Sequence, residues 1–166
     1  MSMKKFALFF LCLFFLVGCT NKSSKEAVVE YLEKYRNFTT EIEQSLMKDL
    51  EKKDWTKEEK EKYILLMKKQ FVNLKYNIKE EIYNGEEATV LVDITVYNYH
   101  NSKREALKEQ DGSQNYIENV LEKMNKETKT IKYTLSFKTY YKENAWVLEQ
   151  PSEETLKKLE GIYNET

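Results

Sequence analysis

Thiols are the most reactive side chains in this chain, and its sequence contains two, Cys12 and Cys19. Cys12 lies within an unbroken apolar run, 6–17, which follows the basic pair Lys4 and Lys5. A helix that crosses a bilayer needs about 20 apolar residues, so this run is too short to span one. Its length and its basic flank are typical of a secretory signal peptide. Cys19 follows almost directly, and it is the thiol whose chemistry has to be explained.

The residues around Cys19 give that thiol a specific chemistry. Leu16-Val17-Gly18-Cys19 resembles the bacterial lipobox, in which the residues at positions 16–18 are recognised by the lipoprotein signal peptidase. The resemblance implies transfer of a diacylglyceryl group to the Cys19 thiol and cleavage before Cys19. Two or three acyl chains then give lasting attachment, where a single chain such as palmitate would bind only marginally. The alternative is an ordinary signal peptide followed by an incidental cysteine.

The lipobox interpretation divides the chain into three parts. Residues 1–18 form the removed signal peptide, residues 19–25 form a polar, lipidated tether, and residues 26–166 form a single α+β domain. The mature protein is then expected to lie outside the cytoplasm, on the outer face of the plasma membrane. Cys19 would be its only cysteine, so no thiol is left for a disulfide, a metal or a nucleophile.

The charge of the chain argues against nucleic acid as a partner. Its 27 Lys and Arg residues nearly balance its 28 Asp and Glu residues, and the charges are interspersed rather than gathered in a basic stripe. The sequence also has no phosphate-binding Gly loop, no Ser nucleophile elbow and no acidic calcium loop. We therefore expect no cofactor and no nucleic acid, and we expect a monomer.

Two single residues are candidates for chemistry. His100 is the only histidine, and one histidine without further cysteines argues against a zinc site, so we expect no metal and a solvent-facing loop position for His100. Asp93 stands among apolar residues of a predicted strand, where a raised pKa would make it a general base. The alternation of that strand places Asp93 on the more polar face, which favours a solvated or paired carboxylate.

Tyrosines suggest a binding face. Tyr97, Tyr99 and Tyr133 lie on predicted strands, together with Asp93, and tyrosine combines an apolar body with a polar tip that suits a ligand or partner surface. The alternative is structural, since aromatic side chains favour strands and pack in cross-strand pairs.

Helices are predicted before the strands and between them. Ser23 with Glu26 and Thr56 with Glu59 form capping boxes that open helices, and a further helix follows from Thr40. Helical spacing recurs in the stretch 100–128, which Asp111-Gly112 interrupts, at Tyr116, Ile117, Val120, Leu121 and Met124.

Two hairpins account for the strands. Asn84-Gly85 is a strong turn signal for the first hairpin, and a turn at 142–144 is predicted for the second. In the first strand of this hairpin, one face is expected to carry Tyr76, Ile78, Glu80 and Ile82. In the second strand, one face is expected to carry Ala88, Val90, Val92, Ile94 and Val96. Pro151 ends the last strand, and Ser152 caps a final helix.

The order of elements predicts an α+β fold. We expect N-terminal helices packed on a curved antiparallel sheet built from two hairpins, with a helical insertion and a short C-terminal helix. The ending Trp146-Val147-Leu148 and Leu159-Glu160-Gly161-Ile162-Tyr163 resembles small lipoproteins of low-GC Gram-positive bacteria that have no established role. Members of that group often carry His where this chain has Glu160, so the resemblance assigns no role to that residue. The layout is also similar to the ketosteroid-isomerase-like (nuclear-transport-factor-two-like) cone fold, which implies a pocket at its open end and hosts both enzymes and binding modules.

Three functions remain open at this level. The first is a non-enzymatic, membrane-anchored binding or accessory domain for an unknown ligand. The second is a small-molecule enzyme that uses Asp93 and a tyrosine in a cone pocket. The third is an envelope module that docks a partner protein. The missing catalytic constellation favours the first.

Replacing Cys19 tests the lipid anchor. Cys19→Ser removes the thiol that would accept the diacylglyceryl group, so we expect loss of labelling by a radioactive fatty acid in a bacterial host. Cys12→Ser is the matched control, because it changes a cysteine of the same apolar segment and should leave labelling intact. A Cys19→Ser protein that still carries label would contradict the lipobox interpretation.

Overall fold

The computed structural model describes residues 22–109 and 115–164, so the lipobox, Cys19 and Asp111-Gly112 lie outside the described residues. The described chain has the predicted α+β architecture, with helices that precede a four-stranded antiparallel, curved and unclosed sheet. Its elements in chain order are α1 (Ser24–Arg36), α2 (Thr40–Glu51), α3 (Lys57–Val72), β1 (Lys75–Asn84), β2 (Glu87–Tyr97), α4 (Tyr99–Lys108), α5 (Tyr116–Lys126), β3 (Thr130–Lys142), β4 (Ala145–Leu148) and α6 (Glu153–Leu159).

Local capping signals determine where the helices begin. Both predicted capping boxes are present, with the Ser23 hydroxyl accepting from Glu26 N and the Thr56 hydroxyl accepting from Glu59 N. Helix α2 begins at Thr40 as predicted, after Thr39 as N-cap residue without a side-chain cap bond. No described helix has the length and the apolar character that crossing a bilayer requires.

The domain begins earlier than the sequence suggested. Residues 23–25 were assigned to the tether, but α1 starts at Ser24 and the Ser24 side chain is fully buried. Its hydroxyl lies 2.8 Å from the Thr139 hydroxyl on β3. The first helix is therefore fixed to the sheet from its first residue.

The sheet has the strand order β1-β2-β3-β4, with every neighbouring pair antiparallel. The first hairpin turns through Gly85 and Glu86, one residue later than Asn84-Gly85, and Gly85 has a φ of 64°. The second hairpin turns through Glu143 and Asn144, which both have positive φ, as a type I′ turn requires.

A bulge in β1 overturns part of the predicted face assignment. The register shifts between Ile78 and Glu80, so one residue is left unpaired in the bulged strand. Beyond the bulge, Ile82 pairs with Thr89 on the outer face and Glu81 pairs with Val90 on the inner face. The Glu81 carboxylate accepts a hydrogen bond from Lys25 N at 2.8 Å. The bulge thus turns a carboxylate towards the start of α1.

The inner face of β2 and β3 forms the core with the helices, and α1 contacts all four strands. The predicted inward residues of β2 are all buried. The largest fully buried side chains include Phe71, Met67 and Leu32 from the helices and Phe137 and Ile94 from the strands. The sheet face that a cone pocket would leave open is therefore filled by side chains over these strands.

A buried amide joins the two ends of the domain. Gln70 on α3 is fully buried, and its Nε2 donates to Tyr97 O and to Glu160 O, both at 2.9 Å. Its Oε1 accepts from Tyr97 N at 2.8 Å. Gly161 has a φ of 70°, and a Cβ there would lie 2.1 Å from Tyr97 O and 2.3 Å from Gln70 Nε2. The close approach of these three segments requires glycine at this position.

Gly161→Ala and Gly85→Ala form a matched pair that tests this packing. Both glycines have a left-handed φ, but a Cβ at Gly85 meets open space. We expect Gly85→Ala to cost about 1 kcal/mol of unfolding free energy through backbone strain alone. Gly161→Ala should cost about 3 kcal/mol or more, because the Cβ also forces the buried amide network apart.

Denaturant unfolding of the two variants gives this comparison directly. Equal losses of stability in the two variants would show that Gly161 is required only for its backbone conformation.

Candidate functional site

Asp93 lies on the outer face of the sheet. Its carboxylate accepts a hydrogen bond from the Thr134 hydroxyl at 2.7 Å and lies 3.6 Å from the Lys79 ammonium. The side chain keeps about two fifths of its exposure to solvent. Asp93 is thus a paired, solvated carboxylate, as the alternation of the strand favoured.

Two of the three candidate tyrosines, Tyr99 and Tyr133, do not share a face with Asp93, whereas Tyr97 lies on the same face of β2 as Asp93. Tyr133 points to the inner face, where it is buried and where its ring packs edge-on against Tyr163 at 6.2 Å. Tyr99, predicted on the strand, is instead the first residue of α4, and its fully buried hydroxyl donates to Leu66 O at 3.3 Å. Tyr97 is half-buried and stacks on Tyr99 at 6.1 Å. The structure brings Tyr97 and Tyr99 together and places Asp93 and Tyr133 on opposite faces.

His100 was expected in a loop but lies in the first turn of α4. Its backbone N–H donates to Gly161 O at 2.7 Å. Burial and the nearby Arg104 and Lys103 charges lower the pKa of its imidazole. His100 is therefore a neutral side chain near pH 7.

A cleft of about 430 Å³ lies among the helices and is lined by no strand residue. Helices α2, α3, α4, α5 and α6, with the loops that follow α2 and α6, contribute its walls. The apolar lining consists of Leu46, Leu50, Trp55, Ile117, Val120, Leu121, Met124, Leu156 and Ile162. Its size falls within the range of small-molecule sites, which extends over roughly 300–1,000 Å³.

Glu160 is the least exposed of the three carboxyl groups that line this cleft, the others being Asp49 and Glu153. It is the residue that caps the end of α6, and its Oε2 accepts a hydrogen bond from the Tyr63 hydroxyl at 3.3 Å. Burial among apolar walls raises the pKa of Glu160 from 4.5 to about 7, against the opposing effects of the Tyr63 bond and the Lys103 charge. The carboxyl group is therefore largely neutral in mildly acidic solution and can then donate a hydrogen bond as well as accept one.

Lys103 is the least exposed of the three lysines that line the cleft. Burial and the neighbouring Lys53 and Lys157 charges lower the pKa of its ammonium, and Glu160 partly opposes this effect. Within 22–109 and 115–164, Lys103 has no hydrogen bond and no carboxylate oxygen within 4.0 Å. It is a partly buried cation whose donors are unused by those residues.

The charges around Lys103 are mixed, because Lys53, Lys103 and Lys157 line the cleft together with Asp49, Glu153 and Glu160. Lys157 is paired with Glu153 at 2.7 Å, and the Lys53 ammonium lies 5.5 Å from the centre of the Trp55 ring. A second cavity of about 390 Å³ shares Lys103 with the cleft and is lined also by Arg104. Lys103 therefore differs from the other lysines of the cleft by its burial and not by a general excess of positive charge.

Sequence reasoning missed Glu160, Lys103 and Tyr63. The one available signal was an acidic residue between the apolar Leu159 and Ile162, directly before a glycine. Tyr63 stands beside Ile64 in a predicted helix, and Lys103 stands in a polar stretch, so the local sequence distinguishes neither from an ordinary helix residue. The contact between Tyr63 and Glu160 joins residues 97 positions apart, which no local pattern reveals.

These groups fit recognition of a ligand better than metal binding. The described residues contain no cluster of three or more His, Cys, Asp or Glu side chains with metal-binding geometry. Glu160, Tyr63 and Lys103 together are suited to hold a polar head group while the apolar walls hold its body. Comparison of the chain with protein-family models, with curated proteins and with solved structures finds no match.

The raised pKa of Glu160 predicts a specific pH dependence of stability. The folded state holds the Glu160 proton up to about pH 7, whereas the unfolded chain releases it near 4.5. Stability from this group is therefore greatest below about pH 4.5 and falls as the pH rises to about 7. Glu160→Gln removes the ionisation, so its stability relative to wild type should be higher at about pH 8 than at about pH 5, by about 2–3 kcal/mol.

Thermal or denaturant unfolding at both pH values measures this difference. Glu154→Gln is the control, since it neutralises an exposed carboxylate on the same helix, which is ion-paired with Lys158. It should show no such gain at high pH. A Glu160→Gln variant with the same relative stability at both pH values would show that the Glu160 carboxyl is not desolvated.

Proposed function

We propose that this protein is a lipid-anchored, extracytoplasmic binding domain without enzymatic activity, and that its helical cleft binds a small amphipathic anion. The observation that carries the proposal is Lys103, a partly buried cation that has no hydrogen-bond or ion-pair partner among the described residues and lies in the wall of a largely apolar cleft. Cys19 would anchor the domain to the outer face of the plasma membrane through lipid, and no cofactor or metal is required.

The apolar walls support binding of the ligand's hydrocarbon or ring body. Helices α2, α5 and α6 supply most of these walls, and their side chains come from both the middle and the ends of the helices. Transfer of apolar surface from water into such a cavity contributes about 25 cal/mol per Å². A body without apolar surface would gain nothing from this lining.

The partial burial of Lys103 and its lack of partners among the described residues support a ligand with an anionic head group. The Lys103 ammonium is partly buried and still reaches solvent, so its donors are open to a ligand that enters the cleft. A carboxylate, phosphate or sulfonate oxygen would supply a charge-assisted hydrogen bond at that position. Asp49 and Glu153 balance the charges of Lys53 and Lys157 in the cleft lining, so the attraction for an anion depends on Lys103 itself.

Glu160 is compatible with an anion because its charge is suppressed. With a pKa of about 7, its neutral form dominates in mildly acidic surroundings and can donate to an anionic oxygen. Its partner Tyr63 holds the carboxyl group against the cleft wall. We therefore expect anion binding to strengthen as the pH falls below about 7.

The surroundings of Asp93 do not favour the enzyme alternative, in which Asp93 acts together with a tyrosine. Asp93 pairs with Thr134 and Lys79 on the outer face of the sheet, whereas Tyr133 is buried on the inner face. A general base and its partner would have to share one pocket.

Binding of decanoate to a soluble chain that begins at Thr20 tests the proposal, once cooperative unfolding has shown that this chain is folded. Isothermal titration should give tighter binding of decanoate than of neutral decanol or cationic decyltrimethylammonium. Lys103→Met should weaken decanoate binding about tenfold, the equivalent of roughly 1.4 kcal/mol, and leave decanol binding unchanged. Lys103→Arg should retain most of the affinity, because it retains the charge.

Lys57→Met is the matched control, because Lys57 is an almost fully exposed lysine that does not line the cleft. Its decanoate affinity should equal that of wild type. Absence of decanoate binding, or equal binding of the three amphiphiles, would contradict the proposal.

A further inference from the structure

The two hairpin turns lie side by side at one end of the sheet. Tyr141 N donates to Glu86 O at 2.7 Å, so the second hairpin reaches the turn of the first. The Trp146 ring packs against the rings of Tyr83, at 5.2 Å, and Tyr141, at 5.5 Å. We call the group formed by these three aromatic residues and their neighbours the aromatic end of the sheet. Its members are Ile82, Tyr83, Tyr140, Tyr141, Trp146 and Val147.

Exposed apolar surface is concentrated at this end. Eight large hydrophobic side chains are exposed within the described residues, and half of them belong here. These four, with their exposed fractions, are Tyr83 at 51 %, Ile82 at 47 %, Tyr140 at 40 % and Val147 at 37 %. Ile82, Tyr140 and Val147 lie on the outer face of the sheet and Tyr83 on the inner face, so both faces expose apolar surface at this end. Exposed apolar surface that is concentrated in this way is typical of an interaction site.

The chain enters the domain beside the aromatic end. Ser24 bonds to Thr139, the residue before Tyr140, and Lys25 N donates to Glu81, two residues before Tyr83. The start of α1 is therefore held against the same end of the sheet.

The length of chain outside the fold limits how far this end can lie from an anchor at Cys19. Three residue steps separate Cys19 from Lys22, the first described residue. A fully extended chain covers about 3.3–3.6 Å per residue, so these steps span about 10 Å at most. This limit rests on the proposed lipid anchor.

We infer that the aromatic end of the sheet lies in the head-group region of the bilayer to which Cys19 is anchored. Tyrosine and tryptophan suit that region, because they bury an apolar ring and keep a polar tip hydrated. Ile82 and Val147 add aliphatic surface on the outer face of the sheet.

The charges of this end show what kind of membrane contact it makes. Exposed lysines and glutamates alternate there, as in Lys25 beside Glu81 and Lys142 beside Glu143. No basic excess is present to select anionic lipids. The contact therefore depends on ring burial and occurs on zwitterionic lipid.

This orientation directs the helical cleft away from the membrane. Strand β2 runs from Glu87 at the aromatic end to Tyr97, whose backbone is tied through Gln70 to Glu160. An 11-residue strand spans roughly 35 Å. The cleft would then face the extracytoplasmic space, far from the lipid surface.

Tryptophan fluorescence tests the inference, because the chain has only Trp55 and Trp146. The full chain is produced in a bacterial host that processes lipoproteins, and mass spectrometry establishes whether Cys19 is acylated. The protein is then placed in phosphatidylcholine vesicles that contain lipid brominated near the head group. In Trp55→Phe, Trp146 fluorescence should be quenched several-fold more than Trp55 fluorescence in Trp146→Phe.

Charge substitutions provide the second readout in the Trp55→Phe background. Ile82→Glu with Val147→Glu should reduce quenching, and both positions are exposed, so the fold should be retained. Leu65→Glu is the matched control, since it changes an exposed apolar residue on α3 and should leave quenching unchanged. An acylated protein whose Trp146 is quenched no more than Trp55 would overturn the inference and leave the lipid anchor standing. A protein without acyl mass on Cys19 would overturn both.

Discussion

The buried carboxamide of Gln70 is the interaction on which the arrangement of this domain most depends. Its three hydrogen bonds connect α3, the end of β2 and the end of α6, which are far apart in the chain. Loss of any partner would leave a buried polar group unsatisfied, at a cost of about 1–3 kcal/mol. Gly161 allows this approach because it has no Cβ. The network places Glu160 at the cleft, so the geometry of the candidate site follows from a structural bond rather than from the site itself.

A second buried group, Glu127, fixes the helices that carry Lys103 and the apolar wall. It follows α5 and accepts hydrogen bonds from Ser102 and Asn101 on α4 and from two backbone N–H groups. Burial alone would raise the pKa of Glu127, but these four bonds together hold it below its usual value. Its stabilising effect is present at neutral pH and is lost as the pH falls through its lowered pKa.

Glu127 and Lys103 show how burial leads to different roles. The carboxylate of Glu127 has its hydrogen bonds supplied by the protein, so it joins two helices and has little capacity left for a ligand. The ammonium of Lys103 lies one residue beyond Ser102 and has no such partners within the described residues. A partly buried charge can bind a ligand only if the protein leaves some of its hydrogen-bonding capacity unused. This difference is why the proposed ligand site is centred on Lys103.

The sequence alone determined the features that depend on neighbouring residues. The capping boxes, the two hairpins, the inward face of β2 and the α+β class are local, because side-chain spacing and turn chemistry act within a few residues. The expected role of Cys19 is also local, since Leu16, Val17 and Gly18 precede it directly. Only the tertiary structure decided the bulge that reverses Glu81 and Ile82, the burial of Tyr99 in α4, and the cleft with Glu160. Those features depend on contacts between distant segments, and the desolvation that shifts the pKa of Glu160 exists only once five helices surround it.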